Sequence, residues 1–127
     1  KKEFSILNSA TNLIESVGLK NRAHLPAKNI SHGEHRQLEI AMALASKPPL
    51  LLLDEPMAGM GPKETQKIMR LLKSLKGTVS IILIEHDMDT VFSLADKLTV
   101  LVAGKVIANG APEIVRELPE VRKAYLG

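Results

Sequence analysis

The composition of this chain excludes several classes of protein before any motif is considered. Its 127 residues make one domain, and the 45% hydrophobic and 24% charged fractions are those of an ordinary globular protein. The net charge of +3 is too small and too scattered to predict nucleic-acid binding. Cysteine is absent, which excludes disulfides and thiolate metal sites, and no apolar run approaches the roughly 20 residues of a membrane-spanning helix.

The first part of the chain is predicted to be helical. Apolar residues recur at helical spacing over residues 3–17, and Gly18 is expected to end that helix. Residues 19–29 form a polar connector in which Pro26 opposes a helix. A second helix is predicted over residues 35–46. Its expected buried face comprises Ile40, Ala41, Leu44 and Ala45.

Residues 50–56, LLLLDEP, are predicted to contain a short strand that is buried on both faces, because its apolar run is uninterrupted. A helix beginning at Pro62 and reaching about Leu75 follows, and residues 79–84, VSIILI, form a second buried strand. This strand–helix–strand order predicts a parallel pair whose carboxyl ends open on one edge of the sheet.

The rest of the chain is predicted to be a short helix, a hairpin and terminal helices. The helix covers residues 88–95, and residues 98–102 and 105–108 flank the turn at Ala103–Gly104. Residues 111–118, with Pro112 at the start, and residues 121–125 are predicted helices. The fold class is therefore α/β, with a parallel sheet core and flanking helices.

Two acidic residues follow the first strand directly, where open α/β sheets place their ligands. Asp54 could hold Mg²⁺ and Glu55 could accept a proton from an attacking water, which suits nucleoside-triphosphate hydrolysis. The alternative is a helix cap by Asp54 with Glu55 in solvent. His86 follows the second strand and could reach the same edge, or it could be an exposed histidine at a helix start.

Residues 31–34, SHGE, precede the second helix and predict an anion site, since free N–H groups and the helix dipole face outward there. An ordinary capping box between Ser31 and Glu34 is the alternative. A zinc site at His32 and His35 is a third possibility, although no further ligand is evident. No G-x-x-x-x-G-K-[ST] phosphate-binding loop occurs anywhere in the chain.

Taken together and in this order, these motifs resemble the ATP-binding-cassette (ABC) transporter ATPase. ISHGE at residues 30–34 is similar to the signature motif, residues 50–56 to Walker B, residues 57–61 to the D-loop, and His86 to the switch histidine. Within the family, the chain most resembles the subfamily for branched-chain amino-acid uptake, and the resemblance is carried by SHGE, LEIAMAL, EPMAGMGP, IEHDM and VRKAYLG. The ATPases of lipopolysaccharide export and urea uptake are also similar. His32 replaces a signature glycine, Glu34 a glutamine, and Gly61 occupies the D-loop aspartate position.

The resemblance implies a partial P-loop NTPase (RecA-like) domain. Residues 1–29 would belong to the helical subdomain and residues 30–127 to the carboxyl-terminal part of the ATPase core. The Walker A region would precede Lys1, and the start without Met leads us to expect an excised piece of a longer protein.

The resemblance also implies roles for individual residues, with ATP and Mg²⁺ as cofactors. Asp54 would hold Mg²⁺, Glu55 would activate the water, and His86 would contact the γ-phosphate. Ser31, Gly33 and Glu34 would form the cofactor-binding signature, serving the nucleotide of the partner subunit.

The implied partners are a second ATPase subunit, arranged head to tail, and transmembrane permease subunits. The expected function is ATP hydrolysis coupled to import, at the cytoplasmic face of the inner or plasma membrane, with this fragment alone inactive. Two alternatives stay open at this point. One is an ABC-type ATPase piece from DNA repair or chromosome maintenance, and the other is a non-catalytic interaction module.

Overall fold

The computed structural model describes residues 2–126, which form two compact units that divide after Ile84. The first unit contains three helices and a two-stranded sheet. These elements are α1 (Lys2–Ser16), α2 (His32–Ala45), β1 (Leu50–Asp54), α3 (Pro62–Leu75) and β2 (Ser80–Ile84). Single 3₁₀ turns at Lys20–Arg22 and Ala27–Asn29 form the connector between α1 and α2. The predicted subdomain boundary at residue 29 falls inside this unit and stays a prediction.

The two strands of the first unit pair in parallel, as predicted. Their register runs from Leu50 opposite Ser80 to Asp54 opposite Ile84. Both strands therefore end at the same level, and the residues that follow them leave from one edge of the sheet. α3 connects the strands and begins with Pro62 at its first position, where the missing N–H has no cost.

The prediction that both strands are buried on both faces is wrong for the described chain. Leu51 is only 4% exposed, but its neighbour Leu52 is 67% exposed. On β2, Ile82 and Ile84 are 51% and 58% exposed. Side chains alternate across a strand, and the described residues show that those on the second face of this sheet are exposed.

The second helix begins three residues earlier than predicted, at His32. Its buried positions include Gln37, Ile40 and Ala41, whereas Ala45, predicted to be buried, is exposed. Gln37 is buried because its side-chain Nε2 donates a hydrogen bond of 2.6 Å to the Val17 carbonyl. The pattern of apolar residues could not predict that a polar side chain would take a buried place.

The second unit consists of a short helix, an antiparallel hairpin and terminal helical turns. Its elements are α4 (Met88–Leu94), β3 (Leu98–Val102), β4 (Lys105–Gly110), α5 (Pro112–Val115), α6 (Pro119–Val121) and a π-helical turn (Arg122–Leu126). A core of buried side chains joins them: Val91, Leu98, Val100, Ala108, Val115 and Val121. The predicted helix 111–118 is shorter than expected, because the chain leaves helical geometry before Pro119.

The hairpin is confirmed, and its turn has the backbone that a two-residue loop demands. Ala103 and Gly104 have φ angles of 48° and 76°, both positive. A register shift lies between Val100 and Leu101 on β3. Within the described residues, no helix is long and apolar enough to cross a bilayer.

Candidate functional site

The acidic pair lies at the carboxyl end of β1, as predicted. Asp54 is the last residue of the strand and is exposed. The Glu55 N–H continues the ladder by donating a 2.9 Å hydrogen bond to the Ile84 carbonyl. Glu55 then has a φ of 43°, in the left-handed region that non-glycine residues rarely adopt. This conformation turns the chain sharply at the sheet edge, and strained backbone of this kind concentrates at functional sites.

The chemistry of Asp54 fits Mg²⁺. A single exposed carboxylate at a strand end can supply one hard oxygen ligand, and Mg²⁺ usually combines one or two carboxylates with phosphate oxygens and water. In residues 2–126, no group of three or more His, Cys, Asp or Glu side chains could hold a metal ion by itself.

His86 is an exposed residue between β2 and α4. The next residue, Asp87, caps α4, since its Oδ1 accepts a 2.7 Å hydrogen bond from the Thr90 N–H. That backbone hydrogen bond lowers the pKa of Asp87, with the Thr90 hydroxyl as the second cause. His86 thus immediately precedes the cap of a helix, and its role toward phosphate stays a prediction.

The capping box at the start of α2 is confirmed. The Glu34 N–H donates to Ser31 Oγ at 3.3 Å, and the Ser31 N–H donates to Glu34 Oε2 at 2.8 Å. The other carboxylate oxygen, Oε1, accepts a 2.8 Å hydrogen bond from Arg22 Nε. The Ser31 N–H, and then the Arg22 guanidinium, lower the pKa of Glu34. Both oxygens of this carboxylate are therefore bound to the chain itself.

A residue that the sequence did not indicate, Glu64, reaches the same turn from the first turn of α3. Its Oε1 accepts a 3.0 Å hydrogen bond from the Ser31 hydroxyl and a 3.3 Å hydrogen bond from the Gly33 N–H. A Cβ at Gly33 would lie 2.9 Å from that oxygen, so glycine is needed for this approach. In the sequence, Glu64 looks like an ordinary acidic residue near a helix start. Its contact with Gly33 spans 31 residues, and no local sequence pattern predicts such a contact.

The histidine that replaces a signature glycine also has a partner. His32 Nε2 lies 3.3 Å from the carbonyl oxygen of Ala58, in the loop that follows the acidic pair. A hydrogen bond there requires the tautomer with the proton on Nε2, because a carbonyl can only accept. The side chain at position 32 therefore connects the start of α2 to residues 57–61.

Three of the predicted site residues lie together at the start of α2. Ser31, Gly33 and Glu34 line one small pocket at the start of α2, together with Gln37, Glu64 and Lys67. Asp54 and Glu55, at the end of β1, are not among the residues lining that pocket. The structure therefore brings three predicted signature residues together with Glu64 and Lys67 in one pocket.

Comparison with known proteins agrees with these motifs. A family profile described as ABC transporter matches residues 2–58. Over its whole length the chain is 42% identical to the high-affinity branched-chain amino acid transport ATP-binding protein LivG of Escherichia coli (strain K12). It is 40% identical to BraF, the corresponding protein of Pseudomonas aeruginosa. The chain belongs to the ABC transporter ATPase family.

Solved ABC structures share the fold as well. The ATP-binding cassette MJ1267 superposes with a TM-score of 0.84 at 29% identity, over 97% of this chain and 51% of that one. CbiO1 from Clostridium perfringens gives 0.82 at 32% identity, over 98% and 51%. The chain spans about half the length of the curated relatives it matches, 51% of LivG and of BraF. The fold is therefore a partial ABC ATPase domain.

Proposed function

We propose that this chain is the signature- and Walker B-bearing part of the ATP-hydrolysing subunit of an ABC importer for branched-chain amino acids. The observation that carries the proposal is the acidic pair at the end of β1, with Glu55 held in a left-handed turn against the Ile84 carbonyl. The names of LivG and BraF support the class of transported solute.

In this proposal the chain supplies positioning and charge, which are what phosphoryl transfer needs most. Glu55 orients the attacking water and accepts its proton. Asp54 would hold Mg²⁺, which would neutralise charge on the phosphates. His86 donates a hydrogen bond to the γ-phosphate. Ser31 and Gly33 supply a hydroxyl and an N–H to phosphate oxygens at the positive end of α2.

Glu34 acts differently from the other signature residues in our proposal. An ionised carboxylate only accepts hydrogen bonds, and its two oxygens already bind the Ser31 N–H and Arg22. We therefore propose that Glu34 belongs to the cofactor site as a positioning residue that shapes the turn. It would hold Ser31 and Gly33 in place without touching phosphate.

We propose that the subunit works in a head-to-tail pair, in which the signature of one subunit serves a nucleotide bound by the other. Ser31 is exposed, so its hydroxyl can be reached by a nucleotide bound to a second subunit.

We propose that α1, with the rest of residues 1–29, belongs to the helical subdomain and faces the permease from the cytoplasmic side of the membrane. Three of its apolar side chains are well exposed: Phe4 at 70%, Ile6 at 62% and Leu7 at 60%. An exposed apolar group of this kind is typical of an interaction surface. Phe4→Ser should weaken co-purification with the permease without lowering stability.

ATP hydrolysis by the full-length protein that contains this chain tests the proposal. Glu55→Gln should abolish turnover while ATP binding persists, and Asp54→Asn should weaken Mg²⁺-dependent binding as well. Glu39→Gln, on an exposed part of α2, is the matched control and should leave turnover unchanged. Full activity in Glu55→Gln would refute the role of Glu55.

Two further measurements test the finer parts of the proposal. The 127-residue chain alone should show no turnover above background, because its sequence holds no phosphate-binding loop. With its permease in vesicles, the full-length protein should drive ATP-dependent uptake of leucine, isoleucine or valine. Uptake of none of the three would refute the proposed solute, and ATP-driven export would refute the direction.

A further inference from the structure

The start of α2 already binds a carboxylate of the chain itself, the side chain of Glu64. The Ser31 hydroxyl and the Gly33 N–H converge on a single oxygen, Oε1 of Glu64. These are the two donors that the proposed function assigns to the phosphate of a partner's nucleotide. The Ser31 hydroxyl has one proton and the Gly33 amide has one, so neither can serve both acceptors fully.

We propose that Glu64 is an internal competitor for the nucleotide phosphate, which must leave Ser31 and Gly33 before a second subunit's nucleotide can dock there. This inference rests on the proposed function, because the phosphate site is the signature site proposed above. What we add is that Glu64 occupies this site. In the absence of nucleotide, Glu64 would accept the hydrogen bonds of Ser31 and Gly33. It would thereby raise the free-energy cost of closing the dimer.

The side chain of Glu64 lies very close to the backbone of Gly33. A Cβ at Gly33 would meet the Oε1, Cδ and Cβ atoms of Glu64 at 2.9, 3.0 and 3.1 Å. The carboxylate therefore lies directly against the backbone that a phosphate would approach. Ser31 is exposed and Glu64 is only half-buried, so phosphate can reach the donors once the carboxylate moves.

The flanking charges make exchange of one anion for another feasible. Lys67, one turn after Glu64 on α3, also lines the pocket. It would remain to neutralise an incoming phosphate after Glu64 has moved. Glu34 stays bound to Arg22 and to the Ser31 N–H throughout, so the turn keeps its shape while its occupant changes.

Inorganic phosphate is the direct probe, titrated into the ¹⁵N-labelled full chain while the Gly33 and Glu34 amide shifts are followed. Relative to wild type, Glu64→Ala should lower the phosphate dissociation constant roughly threefold to tenfold, the equivalent of one net hydrogen bond. Glu64→Gln, which keeps an acceptor but loses the charge, should show a smaller decrease. Glu39→Ala, on the exposed side of α2, is the matched control and should bind phosphate as the wild type does.

The outcomes separate a competitor from a merely structural cap. If Glu64 only joins α3 to α2, both variants should lower stability and leave phosphate affinity unchanged or weaker, and that result would overturn the proposal. If Glu64→Ala fails to fold, Glu64→Gln decides alone. An inactive full-length protein would refute the proposed function, whereas the phosphate titration would still report whether Glu64 competes for an anion at this turn.

Discussion

Replacing Ser31 by alanine should destabilise the start of α2 by about 2 kcal/mol. The hydroxyl caps the helix by accepting from the Glu34 N–H at 3.3 Å, and loss of such a cap typically costs about 1 kcal/mol. The same hydroxyl donates to Glu64 at 3.0 Å. A hydrogen bond to a charged group is worth about 1.5–3 kcal/mol, and we take about 1 kcal/mol because the contact is exposed.

Urea unfolding followed by far-ultraviolet circular dichroism measures this loss, since the chain has no tryptophan. Ser9→Ala is the matched control. Ser9 Oγ only donates back to the Ser5 carbonyl inside α1, so this change should be neutral or slightly stabilising. Equal stability of Ser31→Ala and Ser9→Ala would refute the assignment of both contacts.

A second substitution at the same position separates the two contacts. Aspartate caps helices as well as serine does, so Ser31→Asp should be tolerated if capping alone matters. However, this substitution places a second carboxylate beside Glu64, in the position from which the Ser31 hydroxyl donated its hydrogen bond. We expect Ser31→Asp to be destabilised by about as much as Ser31→Ala, and wild-type stability would show that the Glu64 contact contributes nothing.

Three further predictions concern the strand, the charged caps and the loop. In the 127-residue chain, Leu51→Ala should cost about 2–5 kcal/mol and Leu52→Ala less than about 1 kcal/mol, because Leu51 is 4% and Leu52 67% exposed. The pKa values of Glu34 and Asp87 are lowered from 4.5 and 3.8, so their stabilisation is complete above those values. It is lost as the pH falls through the lowered pKa values, and the urea midpoint should drop from about pH 5 downward. Gly61→Asp should stabilise α3 by about 0.5–1 kcal/mol, since Gly61 is its N-cap and has open space around its Cα.

Each of these predictions has its own control. Equal losses at positions 51 and 52 would contradict the one-sided burial of β1. Glu34→Gln should flatten the acid decline, and an unchanged decline would contradict the cause given for it. Gly77→Ala is the control for Gly61→Asp, because Gly77 also has open space but a φ of 81°. It should lose about 1 kcal/mol.

Much of this fold could be predicted from local patterns along the chain. Helix α3 was located by its apolar spacing and by Pro62 at its first position, and both are short-range effects of sterics and hydrogen bonding. The same holds for the capping box of α2 and for the hairpin turn at Ala103–Gly104. The acidic pair was found because carboxylates after an apolar strand are unusual without a ligand.

Sequence patterns failed where the answer depends on what packs against a segment. Four leucines in a row predicted burial on both faces of the strand. Burial depends on which residues pack against each face, and Leu52 is 67% exposed. Gln37 is polar but buried, since the Val17 carbonyl, twenty residues away, accepts from it. Neither outcome can be predicted from the local order of residue types.

The family, the parallel strand pair and the signature and acidic residues could all be recognised from the amino-acid sequence, because each depends on residue type at fixed local spacing. Which side chains contact these residues depends on how the helices pack against one another. Glu64 illustrates the difference: its hydrogen bonds to Ser31 and Gly33 exist because α3 packs beside α2. Contacts between residues far apart in the chain arise from packing, and no periodicity in the sequence encodes them.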